Sequence, residues 1–382
     1  MKQCPYLFFI LTILLISADR LQAQQSSWTP TGSLGTARAD HTATLLTDGK
    51  VLVVGGDNGS VLVSTAELYD PSTGQWNYVR SPALSRTLHK AVRLNNGKVL
   101  IIGGMSDDLN FQLKISITGE IYDPQTDNWS STGVFNIPRF YPEVVLLADG
   151  KVLMTGGYSL GVTNAAEIYN PDTNAWRAVR SMNEIRAGHS STLLPNEKVL
   201  VAGGIRDTAP RTPNIRSAEI YDPATDRWSV TGEMPAPQAP LLNARLGNSK
   251  ILFTSGVKSS LYDLNSGTWS ITGALNIPRD TPTLTLLPSG KILVVGGRDN
   301  SPKPIGSVEI YDPDTETWES SSSALGSARV GHTATLLQNG KVLVVGGSGI
   351  SGALRSAELF DSNSLIVTTV SAANYSNSLL AP

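Results

Sequence analysis

The chain has 382 residues, of which 40% are apolar, 16% charged and 7% aromatic, with 30 Lys and Arg against 32 Asp and Glu. A formal net charge of −2 fits neither a polybasic nucleic-acid binder nor an acidic solvating tail. A single cysteine excludes a disulfide scaffold and a Cys-rich zinc site.

The first element is Tyr6 to Ser17, an uninterrupted apolar stretch of 12 residues preceded by Lys2. It is shorter than the ~20 residues that a membrane span needs. Asp19 and Arg20 follow, then a small Ala23 before Gln24. This is the pattern of a secretory signal peptide over residues 1–23, with a retained anchor as the competing reading. Export to the extracellular space or periplasm is expected, with no membrane span after signal removal. Cys4 would leave with the signal, so the mature chain would carry no thiol and a net charge of −3.

Beyond Gln24 a repeat dominates. An apolar run ending in glycine recurs seven times, closing at Gly56, Gly104, Gly157, Gly204, Gly256, Gly297 and Gly347, with a mean step of 48.5 residues. Each unit opens on Arg-x-x-His or a variant, passes a Leu-Leu pair and turns at a dipeptide such as Asp48-Gly49 or Asn96-Gly97. Asn-Gly and Asp-Gly predict a two-residue hairpin with positive φ at both turn positions. A loop of varying length follows the glycines, then Ala-Glu-Leu/Ile-Tyr-Asp-Pro, and a tryptophan seven residues after the tyrosine, as in Tyr69 and Trp76. The unit thus predicts four strands, a to d. Strand b is apolar without alternation, which implies burial on both faces. A sheet sandwiched between two neighbours meets that condition, and a two-layer sandwich does not.

The last unit stops at Phe360-Asp361 without its tryptophan. Trp28-Thr-Pro-Thr-Gly at the other end matches Trp129-Ser-Ser-Thr-Gly, and Trp28 precedes Arg38 by the ten residues that separate Trp129 from Arg139. The N-terminal segment therefore completes the seventh unit and closes a ring, which removes the open sheet edge. The expectation is an all-β, seven-bladed propeller of four antiparallel strands per blade over residues 24–361, with six blades only if the fifth unit fails to form. Residues 362–382 are read as a tail or the truncated start of a further β-domain.

The glycine pair, Tyr-Asp-Pro and tryptophan recur in register over residues 28–361, and on these motifs the chain resembles the kelch-repeat propeller family. It is similar in style to exported kelch proteins and to the propeller of galactose-oxidase-like enzymes. The latter resemblance would imply a copper radical site with a cysteine-linked tyrosine, which a thiol-free mature chain does not supply. Exported kelch proteins also include a sialic-acid epimerase, which would imply an arginine and an acid in the channel mouth.

Two side-chain rings stand out. Arg38, Arg86, Arg139, Arg186, Arg279 and Arg329 recur where strand d crosses into the next blade, with Gln238 in the fifth unit. Glu67, Glu120, Glu167, Glu219, Glu309 and Glu358 recur two residues before the strand-c aromatic, with Ser260 in the fifth. The arginines are expected to point toward one channel mouth, where neighbours ~8 Å apart would repel by ~2 kcal/mol at an effective dielectric of ~20. Arginine and glutamate are lost together, in the same unit. That favours six Arg–Glu pairs bracing the blades, while a basic funnel for sugar acids is the functional alternative. His41, His89, His189 and His332 share one repeat position, and blade-equivalent residues do not converge on a metal, so a local structural role is expected.

The variable b–c loops lie on the same face, with long segments at 105–118 and 205–217 and a very short one at Val257-Lys258-Ser259-Ser260, which leaves a notch in the rim. Phe140 and Tyr141 add aromatic surface there. No catalytic motif is present among G-x-S-x-G, H-E-x-x-H, the phosphate loop and the EF-hand loop. The sequence therefore predicts a monomeric, non-catalytic binding module for a carbohydrate or an extracellular protein, without cofactor or metal. The ligand-binding candidates are Arg38, Arg86, Arg139, Phe140, Tyr141, Arg186, Arg279 and Arg329. A sugar-modifying enzyme of the epimerase type is the alternative.

Overall fold

A computed structural model describes residues 28–361 apart from 108–112, 208–213 and 302. The expected signal peptide and the tail after Asp361 lie outside the described residues. Seven four-stranded antiparallel sheets form the blades of a propeller. In blade 1 strand a is Thr42–Leu45, b is Val51–Val54, c is Ala66–Asp70 and d is Gln75–Val79. Successive strands a contact one another around the ring, so they line the central channel. The seventh sheet takes its outer strand from the N-terminal segment: Trp28–Thr31 pairs with Ala357–Asp361, Trp28 lying opposite Phe360.

Every residue of Val51–Val54, Val99–Ile102 and Ile292–Val295 is buried. The reason lies in which neighbour each face meets. Val51 and Val53 pack with Leu343 and Val345 of blade 7, while Leu52 and Val54 pack with Val99 and Ile101 of blade 2. One strand thus supplies two interfaces, each buried aliphatic side chain contributing on the order of 2 kcal/mol. On the outer side, strands c and d meet through an aromatic pair directly opposite in register, as in Tyr69 and Trp76 with ring centroids 5.0 Å apart. Trp28 and Phe360 repeat that contact at 5.0 Å across the closure.

Blade 5 forms like the others. Its strands are Leu242–Arg245, Lys250–Ser255, Lys258–Asp263 and Trp269–Ile271, with Phe253 packed toward blade 4 and Leu252 toward blade 6. The count is therefore seven.

The a–b turns differ from expectation. Leu46 N–H donates to Lys50 and Gly49 N–H donates back to Leu46, so three residues, not two, cross the hairpin. Only Gly49, with φ 85°, is left-handed, and Asp48 instead accepts the Lys50 N–H on its side chain at 3.1 Å. A type I turn closed by one left-handed residue gives this geometry. Glu197 and Ser249 take the same conformation in blades 4 and 5.

Candidate functional site at the channel mouth

The d–a crossovers and b–c connections share one end of the channel, and six of the seven crossovers carry the recurrent arginine shortly before strand a. Arg279 of blade 6 shows what that residue does. Its Nη1 donates to the carbonyls of Gly296 and Ser307, at 3.0 and 2.7 Å, and its Nη2 donates to Glu309 Oε1 at 3.1 Å. Glu309 also accepts the crossover N–H groups of Asn276 and Ile277, at 2.7 and 3.2 Å. The pair thereby pins the crossover to strands b and c of the blade it enters.

The same Arg–Glu pair occurs in all six blades that carry it, at 2.6, 3.2, 2.5, 2.8, 3.1 and 2.6 Å from Arg38 to Arg329 in chain order. Every one of these arginine side chains is 0% exposed. Burial lowers the pKa of Arg38, Arg86, Arg139, Arg279 and Arg329, and the facing glutamate opposes that shift. The expectation that these arginines point into the mouth is corrected here. Each turns inward to its own blade, because the carbonyls and carboxylate there satisfy nearly all its donors.

The histidines are also accounted for. His41 Nε2 bonds Thr333 Oγ1 of blade 7, His89 bonds Thr42 of blade 1, and His332 bonds Thr283 of blade 6, at 2.9, 2.9 and 3.0 Å. His189 bonds Thr155 of blade 3 at 2.9 Å. These are latches between neighbouring blades. Where Pro142 replaces histidine in blade 3, Lys90 and Glu143 pair across the same junction at 2.7 Å. Burial, with nearby arginines, pushes His89 and His332 down to about 3 and lowers His41 and His189, so all four are neutral.

What the mouth exposes comes from the residue just before the histidine position: Asp40, Leu88, Tyr141, Gly188, Pro240, Thr281 and Gly331. Six of the seven are left-handed, Pro240 being the exception. Their backbones join around part of the rim: Asp40 N–H donates to Gly331, Leu88 to Asp40 and Tyr141 to Leu88, at 2.8, 3.3 and 3.3 Å. Asp40 is exposed into the mouth, and among the described residues its carboxylate makes no hydrogen bond or ion pair. The surrounding wall strips water from it and Asp57 adds like charge, so its carboxyl is pushed up to about 6 against the pull of Arg298. Arg298 itself pairs with Asp280 at 3.1 Å.

Phe140 and Tyr141 lie on this rim as expected. Tyr158 stacks on Phe140 with centroids 5.2 Å apart at 20°, and Tyr141 lies 5.9 Å from Phe140. Tyr141 is 41% exposed, and its hydroxyl is pushed up to about 12 by partial burial and by Asp40 and Asp280. A cavity of about 190 Å³ opens at the mouth, lined by Asp40, Pro240, Leu242, Gly256, Thr281 and His332. A second of about 510 Å³ occupies the expected fifth-blade notch. Asp40, Asp280, Arg298 and Tyr158 were not singled out by the sequence. Position is the signal that could have found Asp40, since the residue before each histidine position reaches the mouth whatever its type, while Tyr158 and Arg298 share the position just after the glycine pair.

These features define a closed seven-bladed propeller with a buried ion pair in six blades and a polar, aromatic-edged mouth. Residues 38–83, 86–132, 186–235 and 288–323 match the Kelch motif, so four Kelch motifs lie within this seven-bladed propeller. No curated protein sequence matches it. Among solved structures, a fungal alcohol oxidase of the AA5 family in complex with copper aligns with a TM-score of 0.69 and 16% identity, covering 88% of this chain and 76% of that one. In all, 971 solved chains match, so the architecture alone selects no activity.

The residues here do not fit a copper centre. Each histidine Nε2 is engaged by a threonine, and the four are distributed among four blades. Among the described residues no three His, Cys, Asp or Glu side chains converge on a point that could hold a metal.

Proposed function

We propose that this propeller is an exported, monomeric and non-catalytic binding module whose loop-bearing face takes a carbohydrate. The observation that carries the reading is the aromatic shelf of Phe140, Tyr141 and Tyr158 on a rim that also exposes Asp40, Asp280 and Arg298. Sugar rings present apolar faces that stack on such surfaces while their hydroxyls seek polar partners around them. Burial of the six arginines favours neutral saccharides over sugar acids. The test is calorimetric titration with neutral oligosaccharides and with sugar acids, in low salt and in 0.5 M salt. Neutral sugars should bind with little salt dependence, and Tyr158→Ala should weaken them about tenfold, the equivalent of ~1.4 kcal/mol. Saturable binding of an extracellular protein with no sugar bound would replace this reading with that of a protein-docking face.

One observation favours the epimerase-type reading. A carboxyl with a pKa of about 6, exposed in a mouth and without an ion-pair partner, suits proton transfer near neutral pH. It predicts that a C–H bond of a sugar-acid substrate is broken and re-formed with a solvent proton, read as carbon-bound deuterium from heavy water and lost in Asp40→Asn. No incorporation across a sugar-acid panel would contradict it.

A further inference from the structure

We infer that the fifth blade carries a built subsite for a neutral saccharide unit, floored by Gln238, which Ser260 holds from behind, in the notch beside the channel mouth. This inference rests on the glycan reading of the same face.

Three changes in blade 5 occur together. Gln238 stands where the other blades have arginine, and Ser260 where they have glutamate. Pro235 stands where blade 1 has Gly35, whose N–H donates to Glu67 at 2.6 Å. A proline has no such hydrogen to donate. The arginine, the glutamate and the first crossover donor are therefore absent together, which leaves no stranded charge. The b–c connection shrinks in the same blade. Ser255 pairs with Lys258 across only Gly256 and Val257, whereas residues 296–307 make that connection in blade 6.

The floor left behind is polar and incompletely satisfied. Gln238 is 1% exposed. Its Nε2 donates to Ser260 Oγ at 3.3 Å, and its Oε1 has no partner. A buried amide oxygen left so is a cost to the folded chain that a ligand hydroxyl would remove. Gln238 lines the cavity of about 510 Å³, within the ~300–1,000 Å³ usual for ligand sites. That cavity shares Pro240, Ser255, Gly256 and Arg279 with the smaller one at the mouth, so the two run together from notch to channel.

The chemistry of the lining selects the ligand class. The lining offers the Gln238 amide and Ser255, and the buried Arg279 in the wall is already paired with Glu309. Asp280 and Arg298 neutralise each other at the rim, and the remaining charges of the lining, Asp299 and exposed Lys258, are equal in number and opposite in sign. The lining therefore carries no net charge to select an anion. A sugar hydroxyl donates to Oε1 and accepts from hydroxyl and amide groups at once, which suits this set.

The experiment is titration of the mature chain with cellotriose, maltotriose, mannotriose, galactotriose and chitotriose. It is repeated with Gln238→Arg/Ser260→Glu, which rebuilds the brace in the notch, and with Gln238→Leu, which removes the amide without adding charge. Circular dichroism and melting establish that each variant is folded. Both variants should lose binding of the preferred trisaccharide by at least tenfold, while Tyr158→Ala weakens it separately. Full affinity in a folded Gln238→Leu chain overturns the subsite and leaves the aromatic shelf standing. No binding of any trisaccharide by the parent overturns the glycan reading itself. Preference for a neutral peptide in the notch, lost in both variants, overturns the saccharide assignment.

Discussion

Blades 5 and 6 stand side by side and are built from the same repeat, yet only one carries the buried ion pair. Both have four strands, an apolar strand b and a Tyr–Trp contact, at 5.0 Å in blade 5 and 5.1 Å in blade 6. Blade 6 then adds Arg279 and Glu309, both fully buried, where blade 5 has Gln238 and Ser260. The comparison separates two jobs. Interblade packing of aliphatic and aromatic side chains is enough to form a blade. The ion pair fixes the crossover above it, and a blade released from that duty acquires a cavity.

The largest effect should come from breaking one brace. Arg279→Ala leaves Glu309 buried without its cation and should cost ~3–5 kcal/mol in urea unfolding, with little change between low and high salt. Gln238→Ala, at the equivalent place in blade 5, should cost under about 1.5 kcal/mol, since only one neutral hydrogen bond is lost. Equal losses in the two blades would erase the distinction.

The histidine latches give the next effect. Their folded pKa values lie below the ordinary 6.5, so the stability they contribute is present above about pH 6.5 and is lost as the pH falls. Each should add a slope of ~1.4 kcal/mol per pH unit below that point, until its folded pKa is reached. Melting curves from pH 8 to pH 4 should fall steeply, and His332→Gln should flatten the fall by roughly one proton's worth. Blade 5 has Leu241 at this position and contributes none of it.

Binding changes should be separable from these. Tyr158→Ala is expected to weaken a glycan about tenfold while shifting stability by under about 1.5 kcal/mol, because Tyr158 is only partly buried at the rim. Asp40 should give the smallest effect, and of opposite sign to the histidines. Its raised pKa means that the stability it contributes is complete below about pH 4 and is lost as the pH rises through about 6. Asp40→Asn should therefore raise the melting point at pH 8 and leave it unchanged at pH 3. The gain should be at most about 1 kcal/mol, since the group is exposed and screened.

Much of this was legible in the sequence, and for identifiable reasons. The period, the strand-b runs and the split seventh unit all express contacts that recur seven times, so repetition amplified them. The joint absence of Arg and Glu from the fifth unit already pointed to a pair. The direction of the arginines was not legible, because repeat position places Arg279 at a crossover without saying whether its side chain turns to the mouth or to the carbonyls of its own blade. Asp40 was hidden for the opposite reason. Its repeat position carries seven positions with six residue types, so no pattern marks it, and its exposure arises only when the crossovers gather at the channel. The a–b turns show the same limit on a small scale, since Asp48-Gly49 is compatible with two loop lengths and only the Leu46–Lys50 hydrogen bond selects between them.

The most direct test of the bracing claim is urea unfolding of Arg279→Leu/Glu309→Leu beside the two single variants. If the pair is a structural brace, each single variant loses ~3–5 kcal/mol and the double variant loses less than the sum of the two, because no lone charge remains. Additive losses, or a single Arg279→Leu that unfolds like the parent while glycan binding disappears, would contradict the account and return the arginines to the binding surface.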